Sequence, residues 1–414
     1  MDFQHAAFPW WSVGPFVGLL VSIAILPLVA PHWWEDHKNK AKLGVLFALP
    51  VCLVIVQHAP GELWHTIKEY LAFIALLGSL FIVAGGLVLE GDLRATPAVN
   101  TAFLAFGSVL ANFIGTTGAS MVLIRPVLRT NRERRYTAHV PIFFIFIVSN
   151  IGGCLTPLGD PPLFLGFLEG VPFFWTLSLW PQWLVMIGLI LAVFYAFDSY
   201  WWRKEPASAV QADRTHIEPL RLRGRRNLLC LAGIVWAVFL PEPWRELVMV
   251  LMAVAGFWFT PPDYRRKNAF TFGPIAEVAI LFAAIFVTMV PALILLREHA
   301  PSFGITRPWQ FFWLTGSLSS FLDNAPTYLT FLSLARGLEL GGPILGMPEP
   351  ILCAISLGAV FMGANTYIGN GPNFIVKAIV EEANVKMPSF VGYMGYSASI
   401  LLPLFVLITL LFLR

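Results

Sequence analysis

The chain has 414 residues, of which 57% are hydrophobic and 12% are charged, with a formal net charge of +3. Soluble domains carry about 25% charged residues, so half that share over the whole length excludes an ordinary soluble protein and indicates repeated burial in lipid. The basic residues form short clusters without interleaved aromatic residues, which argues against nucleic-acid binding.

The hydrophobic pattern predicts many membrane crossings. The first apolar stretch lacks a basic leader and a small-residue cleavage site, so we expect a retained helix. By the criterion of about 20 residues per crossing, we predict spans at 12–30, 42–57, 69–89, 137–168, 181–200, 227–241, 244–260, 272–296, 350–380 and 390–413.

Two further apolar stretches, 100–128 and 308–336, are interrupted in the middle, at 115–118 and at 323–326. Each half-stretch is too short to cross a bilayer alone. We therefore predict two re-entrant hairpins, each entering and leaving on one side. If the loop 31–41 is cytoplasmic, this interpretation places every basic cluster on the cytoplasmic side and both termini outside.

With the hairpins counted in this way, we predict an all-α polytopic membrane protein built from two inverted repeats. Each repeat has three helices, a re-entrant hairpin and two helices, one of which is unwound. The predicted boundaries are 1–200 for the first repeat, 201–226 for a cytoplasmic linker and 227–414 for the second repeat. Residues 159–164 align with 369–374, and Thr117 shares its register with Thr327.

Two carboxylates lie in Gly/Pro-interrupted apolar segments, Asp160 in the first half and Asp323 in the second. A charged side chain at bilayer depth costs a few kcal/mol, so it usually faces a cavity and serves a function. Paired helix breaks in corresponding places point to the binding site of a transporter. The structural alternative for each is a helix cap, because each stands close before a proline.

The candidate site is completed by polar residues at the helix breaks. Freed carbonyls, hydroxyls and carboxylates suit Na⁺, whereas half-helix N-termini suit anions, so the charge of the cargo stays open. Thr116 and Asn373 also lie beside the breaks. The residues that we select as ion or substrate ligands, besides the two aspartates, are Asn112, Thr117, Asn150, Thr156, Asn324, Thr327, Asn365 and Asn370.

A proton and a metal cation would compete for the same carboxylate, which is the minimal chemistry of cation/proton exchange. No nucleophile–base set, phosphate loop or His/Cys cluster occurs in the sequence. We therefore predict neither an enzyme nor a bound cofactor. A non-transporting membrane scaffold or receptor would leave the paired breaks and the buried acids without a purpose.

The motifs resemble those of the ion transporter superfamily. The segment 149–162, which reads Ser-Asn-Ile-Gly-Gly and ends Gly-Asp-Pro-Pro, resembles a motif of arsenite efflux permeases, the melanosomal P protein and NhaD-type sodium/proton antiporters. Residues 323–327 resemble their second hairpin, and 363–373 their second unwound helix. Together with the first hairpin at 112–126, the sequence looks most like a bacterial group labelled sodium:proton antiporter or citrate transporter.

This resemblance implies an elevator-like or rocking transporter with one midplane site in the bacterial inner (plasma) membrane. Two departures concern the first-half site: Phe113-Ile114 stands where many relatives have Asp-Asn, and Leu163 replaces an Asn. We expect a Na⁺ or Li⁺/H⁺ antiporter in which Asp160 and Asp323 carry the exchanging cation or proton. The alternative is a Na⁺- or H⁺-coupled carrier of citrate, arsenite or silicate. Membrane lipid is the expected environment, and the relatives suggest a homodimer.

Overall fold

A computed structural model describes residues 8–215 and 218–414. Residues 1–7 of the predicted first repeat and 216–217 of the predicted linker lie outside the described residues. In the described part, 18 α-helices account for almost all regular structure. The predicted all-α class holds apart from one small antiparallel sheet, in which β1 (Val88–Glu90) pairs with β2 (Arg221–Arg223).

Apart from short connecting helices, the helices follow the same order in both halves of the chain: three helices, an interrupted stretch, a broken helix and a final long helix. The first half contains α1 (Gly14–Val29), α2 (Pro31–Glu35), α3 (His37–His58), α4 (Pro60–Ala84), α5 (Pro97–Thr130), α6 (His139–Ile147), α7 (Pro161–Leu168), α8 (Trp180–Trp202) and α9 (Ala207–Thr215). The second half contains α10 (Arg226–Ala237), α11 (Trp244–Phe259), α12 (Pro262–Lys267), α13 (Gly273–Glu298), α14 (Pro308–Ser319), α15 (Asn324–Gly337), α16 (Glu349–Met362), α17 (Gly371–Glu382) and α18 (Phe390–Phe412).

Seven helices in the described residues are long and apolar enough to cross a membrane. Six of them coincide with predicted spans, and the seventh is α5, which the sequence predicts as a hairpin. The predicted spans 137–168, 227–241 and 350–380 appear as shorter apolar helices. One face of α3 is apolar and exposed, as expected of a surface that contacts lipid: Val45, Leu46, Leu49 and Leu53 are all more than half exposed.

Helix α5 is interrupted at Gly115, whose φ of 77° and ψ of 155° are non-helical. This backbone region is open essentially only to glycine. The side-chain amides of Asn100 and Asn131, near the two ends of α5, donate hydrogen bonds to each other at 2.9 Å. A straight helix of 34 residues would separate its ends by about 50 Å. The two ends of α5 therefore lie together.

The helices pack in two groups. The first group consists of α1, α3, α4, α10, α11 and α13, with the closest packing between α3 and α13 and between α4 and α11. The second group consists of the interrupted and broken elements with α8 and α18, and its closest pair is α14 and α16. Contacts of α13 with α15 and of α4 with α5 join the groups, so the breaks lie against a wall formed by α4 and α13.

Candidate functional site

Asp160 lies at the centre of a buried polar cluster, and its residue is 1% exposed. It precedes α7 in an extended conformation, but its side chain does not cap that helix. The carboxylate instead accepts hydrogen bonds from Thr116 Oγ1 at 3.0 Å, Asn324 Nδ2 at 2.6 Å and Asn370 Nδ2 at 3.1 Å. Three separate elements thus donate to one carboxylate, and the capping alternative for Asp160 is wrong.

None of these three donors is a basic residue, and Asp160 forms no ion pair in the part of the chain that the structure describes. Hydrogen bonds to an ionised group contribute more than neutral ones, at about 1.5–3 kcal/mol each. A buried charge that has only neutral donors still lacks a counter-ion. The site is therefore suited to neutralise its carboxylate with a proton or a cation.

Further amides connect Asp160 to the second broken helix. Asn370 Nδ2 also donates to Asn150 Oδ1 at 3.1 Å, and Asn150 Nδ2 donates to Asn373 Oδ1 at 2.6 Å. Asn373 Nδ2 in turn donates to the carbonyl oxygens of Gly363 at 2.8 Å and Thr366 at 2.9 Å. The amide chain satisfies carbonyls that the helix break frees, and it links the two halves at one point.

Close backbone contacts hold each break in shape. In the first broken helix, a Cβ added at Gly159 would lie 2.1 Å from the carbonyl oxygen of Gly153. In the second, a Cβ at Gly369 would lie 2.6 Å from that of Gly363. The backbone N–H of Thr116 donates to the carbonyl of Gly159 at 2.8 Å, which seats the interruption of α5 on the first break. Only glycine permits these approaches.

Asp323 differs from Asp160 in its role. It is the N-cap of α15, and its Oδ1 accepts from the backbone N–H of Ala325 at 3.0 Å. The capping alternative therefore applies to Asp323, which also lines a cavity beside Asn370. Thr327 Oγ1 donates back to the carbonyl of Asp323 at 2.9 Å within the same helix.

The other selected residues divide between structural and cavity positions. Asn112 joins α5 to the first break, because its Nδ2 donates to the carbonyl of Gly152 at 2.7 Å and its Oδ1 accepts from the N–H of Leu155 at 2.8 Å. Thr156 Oγ1 donates to the carbonyl of Asn112 at 2.5 Å. Asn365 Nδ2 donates to Ser320 Oγ at 2.9 Å, whereas Thr117 lines the cavity.

This cavity, which we call the central cavity, has a volume of about 80 Å³ and lies between the breaks and the α4/α13 wall. Four helix starts meet at it: the segment 116–118 after Gly115, Pro161 of α7, Asp323 before α15, and Gly371 of α17. The wall consists of apolar side chains that include Leu77 and Phe282. No lysine, arginine or histidine belongs to the lining, all of which is described. The helix N-termini at the cavity supply partial positive charge there.

Two important contacts were not singled out from the sequence. Thr116, and not Thr117, reaches Asp160, since the conformation of Gly115 decides which hydroxyl faces the carboxylate. The side-chain oxygen of Asn373 accepts a hydrogen bond from Asn150. The sequence feature that could have indicated this role is the polar Asn373 at the position that aligns with the apolar Leu163. No group of three His, Cys, Asp or Glu side chains suited to a metal ion occurs in the described residues.

Seven candidate spans and a buried polar site between broken helices define a multi-pass membrane protein of the secondary transporter class. A family model described as "Putative citrate transport" matches residues 5–413, so the chain belongs to this family within the ion transporter superfamily. It is a family of transporters and not of enzymes.

Two curated relatives are named as uncharacterized transporters, one from Mycobacterium bovis and one from Mycobacterium tuberculosis. Each is 26% identical to this chain over 398 residues, which cover 88% of this chain and 85% of the relative. The similarity thus extends over most of both chains.

Proposed function

We propose that this protein is a secondary carrier that couples Na⁺ or H⁺ to the movement of a small carboxylate anion such as citrate. The observation that carries the proposal is the meeting of four helix starts at the central cavity beside Asp160. Backbone N–H groups at helix starts bind anions without basic side chains. The family description, which names citrate transport, supports the same cargo class.

The residues at the helix breaks include suitable ligands for the coupling cation. Asn324 Oδ1 and Asn365 Oδ1 are buried acceptors without a hydrogen-bond partner among the described residues. A buried unsatisfied acceptor costs about 1–3 kcal/mol, which a coordinated cation would recover. Asn324 also holds Asp160 through its other amide atom, so a cation at this amide would act directly on the carboxylate. In this proposal Asp160 and Asn324 carry the coupling ion.

The central cavity is smaller than the 300–1,000 Å³ of ordinary small-molecule pockets. A tricarboxylate therefore enters only when the broken elements separate from the α4/α13 wall. We propose that the interrupted stretches form re-entrant hairpins, and the bonds between Asn100 and Asn131 support this for the first. The inverted orientation of the two repeats and the outside location of both termini stay predictions.

Na⁺/H⁺ antiport is the second candidate function. One observation favours it, because no basic side chain lines the central cavity to pair with a polyanion. A single buried carboxylate that accepts only neutral donors is sufficient for exchange of a proton against Na⁺ or Li⁺.

Uptake into proteoliposomes separates the two functions. We would measure radiolabelled citrate uptake with an inward Na⁺ or H⁺ gradient, and in parallel follow an internal pH dye after addition of Na⁺ or Li⁺ without citrate. We expect uptake of radiolabelled citrate that the ion gradient drives and that excess unlabelled citrate inhibits. Cation-driven proton efflux without any citrate uptake would contradict the carrier and establish the antiporter. Protein-free liposomes and Asp263→Asn, an exposed acid on α12, are the controls.

A further inference from the structure

A second cavity, which we call the basic cavity, has a volume of about 780 Å³ and lies where α5 ends and α6 begins. One wall is formed by the segment 125–141 with Phe197 and Trp201 of α8. The opposite wall is formed by the loop 383–386 after α17 and by Tyr396 of α18. The cavity therefore lies between the first and second halves of the chain, away from the residues that bind Asp160.

Some of the cations that line the basic cavity are already neutralised. Arg134 Nη2 lies 2.6 Å from Asp198 Oδ1, and both residues are buried. Arg132 pairs with Glu133 at 2.9 Å, and this hydrogen-bonded carboxylate also raises the pKa of the Arg132 guanidinium. These two arginines have their charges matched within the protein.

The other cations lack such a match. Arg129 donates to the carbonyl oxygens of Leu89 at 2.7 Å and Gly91 at 3.0 Å. Glu205 accepts a hydrogen bond from the backbone N–H of Arg135 at 2.9 Å, but the Arg135 guanidinium forms no ion pair among the described residues. The side chains of Arg129 and Lys386 likewise form none there, and Arg135 and Lys386 are exposed. The excess positive charge thus faces the cavity from both walls.

Arg125 adds to this excess. Its Nη2 lies 3.4 Å from Glu382, whose side chain is 64% exposed, so the pair is a weak surface contact. Its Nε is buried and has no hydrogen-bond acceptor among the described residues. A buried guanidinium N–H without an acceptor favours an oxyanion ligand in the cavity, because arginine binds phosphate through two parallel N–H donors.

We propose that the basic cavity binds a phosphate group, with Arg125, Arg129, Arg135 and Lys386 as its ligands. Phosphate of this kind comes from an anionic phospholipid headgroup or from a soluble phosphorylated anion. The rings of Trp201 and Tyr136 lie in tilted contact in the lining, with centroids 5.1 Å apart, and such aromatic residues are typical of the membrane–water interface. The bias of basic residues predicts this end to be cytoplasmic, where anionic lipid attracts basic pockets. A bound phosphate would bridge the segment 125–141 to the loop 383–386.

Native mass spectrometry of the purified full-length protein tests this site. The probes are phosphatidylglycerol and the neutral lipid phosphatidylcholine, each titrated in detergent, with inorganic pyrophosphate as a soluble competitor. The test variant is Arg135→Gln/Lys386→Gln, in which both substituted residues are exposed, so folding is not at risk. The matched control is Lys38→Gln/Arg266→Gln, which removes two exposed charges on the same predicted side but outside the cavity.

We expect phosphatidylglycerol to bind in preference to phosphatidylcholine, and the cavity variant to weaken its binding about tenfold or more. The control variant should change it less than twofold. Displacement of the lipid by pyrophosphate would assign the site to soluble phosphates as well, and failure of displacement would assign it to lipid. Equal weakening in both variants, or no preference between the two lipids, would overturn the proposal.

Discussion

The two broken helices, at 139–168 and 349–382, have similar backbone geometry at their breaks but differ in charge. Each has two glycines six residues apart that approach closely, Gly153 with Gly159 and Gly363 with Gly369. The residue before the second half-helix is Asp160 in one case and its counterpart Asn370 in the other. The break geometry therefore occurs in both halves, whereas only the first break carries a buried carboxylate.

The interrupted stretches differ in the same way. In the first, the interruption is made by Gly115, and Thr116 contacts the break of its own half through backbone and side chain. In the second, Asp323 caps α15, and Asn324 reaches across to Asp160 of the other half. The amides of the second half therefore hold the carboxylate of the first. A proton or cation at Asp160 would change hydrogen bonds in both halves at once.

A second carboxylate at the counterpart position should have the largest effect. Asn370 Nδ2 lies 3.1 Å from Asp160 Oδ1, so Asn370→Asp would place a second carboxylate at about hydrogen-bond distance from the first. Like charges this close in a buried site repel strongly. We expect a loss of gradient-driven uptake of about 100-fold or more, equivalent to about 3 kcal/mol. The double variant Asp160→Asn/Asn370→Asp restores a single charge and should recover to within about tenfold of wild type. A double variant as inactive as the single one would contradict the shared-site interpretation.

The duplicated backbone predicts matched losses of stability in the two halves. Gly159→Ala and Gly369→Ala each place a Cβ less than 3 Å from a backbone oxygen, at 2.1 and 2.6 Å. We expect each variant to lose about 3 kcal/mol, at the upper end of overpacking effects, and to melt at a lower temperature. Gly371→Ala is the control, because nothing lies within 4 Å of its added Cβ. Thermal unfolding in detergent measures all three, and equal melting of Gly159→Ala and wild type would refute the close approach.

A smaller effect should come from making the second break resemble the first. Asn373→Leu copies Leu163 and removes the donors to the carbonyls of Gly363 and Thr366. Each carbonyl left unsatisfied costs about 1–3 kcal/mol, less any compensation from water. We expect a lower melting temperature with a larger relative loss of transport, because Asn150 Nδ2 also loses one of its two acceptors and keeps only the carbonyl of Ile145. Unchanged melting and uptake would show that the amide chain is dispensable.

The smallest predicted effect distinguishes two neighbouring threonines. Thr116→Val removes one hydrogen bond to Asp160, whereas Thr117→Val changes only the lining of the central cavity. A hydrogen bond to a charged group contributes about 1.5–3 kcal/mol, so uptake should fall about 10- to 100-fold in the first variant. The second variant should stay within about threefold of wild type. Equal kinetics of the two variants would place the functional hydroxyl elsewhere.

Much of this fold was predictable because helix breaks have local causes. Glycine and proline clusters mark both breaks, and six predicted spans coincide with long apolar helices. The interruption at Gly115 follows from a conformation that other residues avoid. The pairing of β1 with β2 was missed, since two strands of three residues carry no periodic signal.

The sequence predicted several members of the buried polar cluster around Asp160, but not which of them form hydrogen bonds with each other. Asp160 and the amides at 324 and 370 were selected by position, yet their contacts join residues 164 and 210 apart in sequence. Such contacts depend on tertiary packing, which one sequence does not encode locally. The same limit explains why Asp160 and Asp323 looked equivalent, although one accepts donors from three elements and the other caps a helix.

The most direct test of coupling at Asp160 compares two modes of transport in the same vesicles. Asp160→Asn should abolish citrate uptake driven by a Na⁺ or H⁺ gradient, because the neutral amide takes up no proton and provides no negative charge for a cation. Counterflow, in which external labelled citrate exchanges for unlabelled citrate inside the vesicles, needs no Na⁺ or H⁺ gradient. It should persist, since the four helix starts at the central cavity are unchanged. Gradient-driven uptake in Asp160→Asn at the rate of wild type would contradict a coupling role for this carboxylate.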